Sequence, residues 1–158
     1  MGFTKVFDYA AGKADWLASG LPTEGKLAET PRAGGLARAD VLTCELTDRL
    51  ADVWERTESS DADQCVVVND ENIVLGRLRK DSDLEATVEA VMESGPSTFR
   101  PDVSLKEMEQ YMTKHGMADA LITTSDGVLV GVLYRQDIEQ ALNGTRAKAL
   151  PRSIYGKK

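Results

Sequence analysis

The stretch Gly131-Val132-Leu133-Tyr134-Arg135-Gln136-Asp137-Ile138 decides how this 158-residue chain is read. It passes from a strand pattern into a helix within a few residues. Val128 to Leu133 is a short apolar run, and Ile138, Ala141 and Leu142 then recur at helical spacing. Upstream, Ser125-Asp126-Gly127 spells a turn and Ala120 to Thr123 spells the strand before it. Further back, Leu105, Met108 and Met112 form the apolar face of a helix that Gly116 breaks. Ser104 followed by Glu107 is the spelling of a capping box at its start. Downstream, Asn143-Gly144 is expected to end the last helix.

The same order occurs once before. Leu50, Val53 and Trp54 stripe a helix over Arg49 to Arg56, and Asp61-Ala62-Asp63 breaks it. Cys65 to Val68 is a buried-type strand, Asn69 to Asn72 a turn, and Ile73 to Leu78 a second strand. Leu84, Val88, Val91 and Met92 suggest another helix, and Gly95-Pro96 divides the halves. A shift of 55 residues superposes the halves without a gap: Thr43 falls on Thr98, Leu50 on Leu105, Gly76 on Gly131 and Leu78 on Leu133. The shared order of elements and apolar positions carries the repeat more than these identities do. A half of this length buries too little surface to stand comfortably alone, so the two are expected to pack their sheets together. The fold class expected is α/β (α+β), with two half-domains related by a pseudo-two-fold axis, each a small sheet with flanking helices.

This pattern resembles the pair of cystathionine-beta-synthase (CBS) domains known as a Bateman module. In that family the last strand leads through Gly-apolar-apolar-Ser/Thr-x-x-Asp into a helix, as Gly131 to Asp137 does here. Gly76-Arg77-Leu78-Arg79-Lys80-Asp81 follows the pattern more loosely. The resemblance implies an N-terminal extension and linker over 1–38, CBS domains over 39–94 and 95–143, and a basic tail over 144–158. It also implies a non-catalytic regulatory module that binds an adenosine compound (AMP, ADP, ATP or S-adenosylmethionine) between the halves. Such a module pairs into a homodimer and signals to an effector protein. A ligand-free interaction module is the other function it allows.

Carried over residue by residue, Asp137 matches the acid that accepts hydrogen bonds from a ribose diol. Thr98, Phe99 and Arg100 match the segment that meets the base edge, and Met117 and Ala118 match the loop that closes over the base. Tyr134 and Arg79 stand where the family has Ser or Thr beside the phosphate. Tyr134 either donates through its hydroxyl or fills the crevice. Ser82 aligns with Asp137, with Asp81 one residue away, so the first site is degenerate. Arg77, Arg79 and Lys80 in one copy, and Arg100 and Arg135 in the other, read as a shared phosphate crevice or as solvated strand-end charges. Asp137 reads equally as a plain helix N-cap.

A formal net charge of −7 argues against nucleic acid as the main partner, because such proteins carry a basic footprint. Cys44 and Cys65 lack neighbours at metal-ligand spacing; a disulfide between them stays open, and a cytosolic setting favours free thiols. No nucleophile–base motif or phosphate-cradling loop is visible, and no metal or required cofactor is expected. His115, the only histidine, reads as a helix-end charge. The lack of a long apolar run or a leader pattern gives the expectation of a cytoplasmic protein with no membrane span. Residues Gly12 to Glu24, around Trp16, are similar to the closing helix of rhodanese-type domains. The basic residues beyond Gly144 read as a solvated tail.

Overall fold

The computed structural model of the chain describes Trp16 and residues 30–58, 64–80 and 85–149. Its elements repeat in the order that the sequence announces. The first half contains β1 (Thr43–Cys44), α2 (Leu50–Glu58), β2 (Gln64–Val68) and β3 (Val74–Arg79). The second contains β5 (Thr98–Phe99), α4 (Leu105–Lys114), β6 (Asp119–Thr123), β7 (Leu129–Tyr134) and α5 (Arg135–Ala149). A four-residue helix leads into each half: α1 (Ala33–Leu36) before the first, and α3 (Val88–Val91), followed by β4 (Glu93–Ser94), before the second.

Both sheets are built alike. β1 runs parallel to β2 and β5 to β6, while β2–β3 and β6–β7 are antiparallel hairpins. Each hairpin has a register shift at the equivalent place, after Val67 and after Ile122. Tight turns close them, with Asn72 at φ 61° and Gly127 at φ 83°. Asparagine and glycine are the residues that tolerate this backbone.

Burial on both faces explains why β2 and β6 are apolar runs without alternation. Cys65 and Val67 pack with Leu50, Val53 and Trp54 of α2, within the first half's own core. Ala120 and Ile122 do the same with Leu105, Met108 and Met112 of α4. The opposite faces meet: Val66 and Val68 pack with Leu121 and Val132 in a cluster shared by the halves. Repeat-related residues touch across the axis, Gln64 against Asp119 and Ile73 against Val128.

Each lead segment pairs with the opposite half. β4 runs antiparallel to β3, with Arg77 opposite Glu93. At the related position Arg38 bridges Val132 of β7, with its N–H donating at 2.8 Å and its carbonyl accepting at 3.0 Å. Gly76 and Gly131 face these leads, and a Cβ on Gly131 would lie 2.4 Å from the Arg38 carbonyl oxygen. Space, not backbone angle, is what calls for glycine there.

Three expectations change. The last helix runs through Gly144 to Ala149 instead of ending at Asn143-Gly144. A helical glycine costs only about 1 kcal/mol, which the rest of the helix can outweigh. Among the described residues of the stripe from Leu84 to Met92, only Val88–Val91 is helix, because the chain turns at Met92 to form β4. Residues 33–38, read as linker, are ordered against the second half: Gly34 packs on Pro101, and Leu105 donates to the Pro31 carbonyl at 3.0 Å. Their glycines leave no apolar period to read. The helix around Trp16 otherwise lies outside the described residues, as does the tail beyond 149.

Candidate functional site

The repeat places the ends of β3 and β7 together on the axis, and a cleft of about 570 Å³ opens between them. It is lined by Arg79 and Lys80 from one half and by Tyr134, Arg135, Gln136 and Glu139 from the other. Ala118, Gln64 and Asp119 complete it. Gln64 and Asp119 open their strands at equivalent positions and hydrogen-bond each other at 3.0 Å. Behind them the buried Arg77 donates to Asp119 at 2.7 Å and to Gln64 at 3.1 Å. It also lies 3.5 Å from Glu93. These contacts neutralise Asp119 and tie the halves together. Arg79 is 3.8 Å from Glu93, and Arg135 is 3.5 Å from Glu139 one helical turn on. Both are surface pairs that an anion can outcompete. The cleft therefore offers three cations, amide groups and the first turn of a long helix, a suitable setting for phosphate.

Asp137 shares the first turn of α5 with the cleft residues Arg135 and Gln136, and it already has a partner. Arg38 grips it through two parallel hydrogen bonds, Nε to Oδ2 at 2.8 Å and Nη2 to Oδ1 at 2.9 Å. The same guanidinium lies 4.8 Å from the centroid of the Tyr134 ring. Hydrogen bonding and charge from Asp137 raise the Arg38 pKa above its ordinary value. Tyr134 thus both lines the cleft and carries Arg38. In the first half the related residues are Glu93 and Arg79, an ion pair in place of the cation on a ring.

Of the residues singled out from sequence, Arg79, Ala118, Tyr134 and Arg135 meet in the cleft; Asp137 is not among its lining residues and is held by Arg38 instead. The structure separates Thr98, Phe99 and Arg100 from Asp137. They belong to β5 and its exit, whereas Asp137 follows β7, and β6 lies between those strands. The segment that meets Asp137 is the lead at Arg38, because it completes the β7 edge. Phe99 stacks edge-on with Tyr111 at 5.1 Å, and Met117 packs on the second half's core. Arg100 bonds the Thr123 hydroxyl at 2.9 Å and the Thr124 carbonyl, bracing the far end of β6. Asp81 and Ser82 lie outside the described residues.

Arg38, Gln64, Asp119, Gln136 and Glu139 were not found from sequence as site residues. Gln64 and Asp119 had a signal: they are repeat-related and polar at the start of buried strands. Arg38 had none, because its strand partner is almost a hundred residues away.

Away from the cleft, Cys44 and Cys65 are buried free thiols. A hydrogen bond from Cys65 lowers the Cys44 pKa, while that bond and burial push Cys65 far above the thiol range. Among the described residues no cluster of His, Cys, Asp and Glu is arranged to hold a metal ion, and no helix is long and apolar enough to cross a membrane.

Comparison with known proteins gives this geometry a context. The CBS domain family model matches residues 88–144. No curated protein matches. Among solved structures, a putative acetoin utilization protein (AcuB) from Vibrio cholerae is similar, with 22% identity and a TM-score of 0.65. That match covers 77% of this chain and 99% of that one. CBSX2 from Arabidopsis thaliana, solved in complex with AMP, matches at 14% identity and TM-score 0.65 over 73% of this chain and 98% of its own. The cytosolic domain of the Mg2+ channel MgtE, solved with ATP, matches at 21% identity and TM-score 0.64 over 73% of this chain. The match spans about half of that domain, 51%. Residues 88–144 thus carry the match to the CBS domain, and the two halves together have the fold of a CBS pair.

Proposed function

We propose that this chain is a non-catalytic regulatory module that binds an adenosine-containing nucleotide between its halves and signals the bound state to an effector protein. The observation that carries this reading is the convergence of Arg79, Lys80 and Arg135 on one cleft at the axis, in a chain of net charge −7. Phosphates in that cleft touch both halves, so binding favours one angle between them over another. A ligand shifts such an equilibrium only by its differential affinity for the two arrangements. AMP, ADP, ATP and S-adenosylmethionine are the candidates. Complexes of fold neighbours with AMP and with ATP support the class. Pairing into a homodimer through the helices belongs to the same reading, and Tyr111, 43% exposed on α4, offers an apolar contact for it.

Thermal melting against these compounds tests the proposal, with Lys80→Ala and Arg135→Ala alongside. A ligand at 100 times its dissociation constant adds about 2.7 kcal/mol, or roughly 5–10 °C for a chain of this size. A shift that shrinks in both variants is the expected result. A flat panel favours the second reading, a ligand-free interaction module. One observation speaks for that alternative: Asp137 and Tyr134 are already engaged by Arg38.

A further inference from the structure

We propose that Arg38 is a latch on Asp137, withholding its carboxylate from the ribose of a nucleotide whose phosphates occupy the cleft, until it is displaced. The inference rests on the nucleotide-binding reading above. Both Asp137 oxygens are taken, at 2.8 and 2.9 Å, by parallel N–H groups of one guanidinium. A vicinal diol seeks the same pair of acceptors from the same carboxylate. Tyr134 extends the block, since Arg38 lies over the ring of a residue that lines the cleft.

The arrangement is pre-set. The Arg38 backbone is pinned to Val132 by two hydrogen bonds, and its carbonyl packs against Gly131, where no Cβ fits. The side chain therefore starts from a fixed point beside Asp137. Its side chain is 51% exposed, so a ligand can reach the pair from solvent. Such a pair adds little to folding and is weak enough for a ligand to break. The first half uses the same position in reverse: Glu93, related to Arg38 by the repeat, lies on Arg77 and Arg79. Each lead thus brings a charge opposite to the one it meets. Arg38 also joins the crevice to the segment that precedes it in the chain, so displacing it alters the surroundings of the N-terminal lead.

The latch sets which ligands the crevice distinguishes. With Arg38 in place, a ribonucleotide gains little from its 2′-hydroxyl. Calorimetric titration of the full chain with ATP and 2′-deoxy-ATP reads this directly. The native protein is expected to bind the two within about two-fold. Arg38→Ala should tighten ATP by about two- to five-fold, the scale of one exposed ion pair, and leave 2′-deoxy-ATP behind. Adding Asp137→Asn should erase that new discrimination. Weaker ATP binding by Arg38→Ala would make Arg38 a ligand contact and overturn the latch. A ligand-independent readout separates the two claims. The Arg38 Nε–H resonance should be shifted and protected from exchange in the native protein, and lose both features in Asp137→Asn. If it does not change, the latch fails whatever binds. If it changes as expected but no variant binds ATP, the nucleotide reading fails, and the role of the ion pair in gating ribose fails with it.

Discussion

Gly131→Ala should loosen the contact that places Arg38 on Asp137. The added Cβ would stand 2.4 Å from the Arg38 carbonyl oxygen, 2.9 Å from its carbon and 3.2 Å from the Ala37 Cβ. Ordinary contacts lie near 3.5 Å, so the lead must retreat by about 1 Å. The two hydrogen bonds between Arg38 and Val132, at 2.8 and 3.0 Å, then stretch past useful length. Two backbone bonds at about 1 kcal/mol each predict a loss near 2 kcal/mol, within the usual 1–3 kcal/mol of overpacking. The melting temperature should fall by about 4–8 °C. The Arg38 and Val132 amides should lose exchange protection, and the Arg38 grip on Asp137 should weaken. Gly76→Ala is the control. Its nearest neighbour is the flexible Met92 Sδ at 2.8 Å, though the Glu93 carbonyl follows at 2.9 Å, so a smaller loss is expected. An unchanged melting point for Gly131→Ala, with the Arg38 amide still protected, would refute this account of the lead.

Leu121→Ala removes a fully buried side chain from the cluster that joins the halves and should cost about 3 kcal/mol in urea unfolding. A cost under about 1 kcal/mol would mean the sheets do not pack there. Glu107 completes the capping box at Ser104, which lowers its carboxyl pKa in the folded state. Its contribution is therefore present above the unfolded carboxylate pKa and lost as pH falls through the lowered folded value. Glu107→Gln should flatten that part of the acid melting profile, and parallel profiles for both proteins would contradict the assignment. Cys44 and Cys65 are 3% and 0% exposed, so a thiol reagent should label neither until the protein unfolds, despite the lowered Cys44 pKa. Labelling of the folded protein at free-thiol rates would show that the first core opens.

The sequence by itself determined the elements whose signals are local. Leu50, Val53 and Trp54 recur at helical spacing, Ser104 and Glu107 spell a cap, and Asn72 and Gly127 permit the two turns. The 55-residue repeat extended these signals to a two-half architecture, because apolar strands buried on both faces need a second sheet to cover them. The motif ending at Asp137 also placed Tyr134 and Arg135 on the rim of the cleft. The tertiary structure decided which distant residues meet. Strand order sets Thr98, Phe99 and Arg100 on the far side of β6, away from Asp137. Exchange of the leads brings Arg38, whose own neighbourhood has no periodic pattern, onto Asp137 and Tyr134. The physical reason is the range of the interactions. Helix and turn preferences are fixed within a few residues, whereas a sheet edge can be completed by any segment whose backbone reaches it.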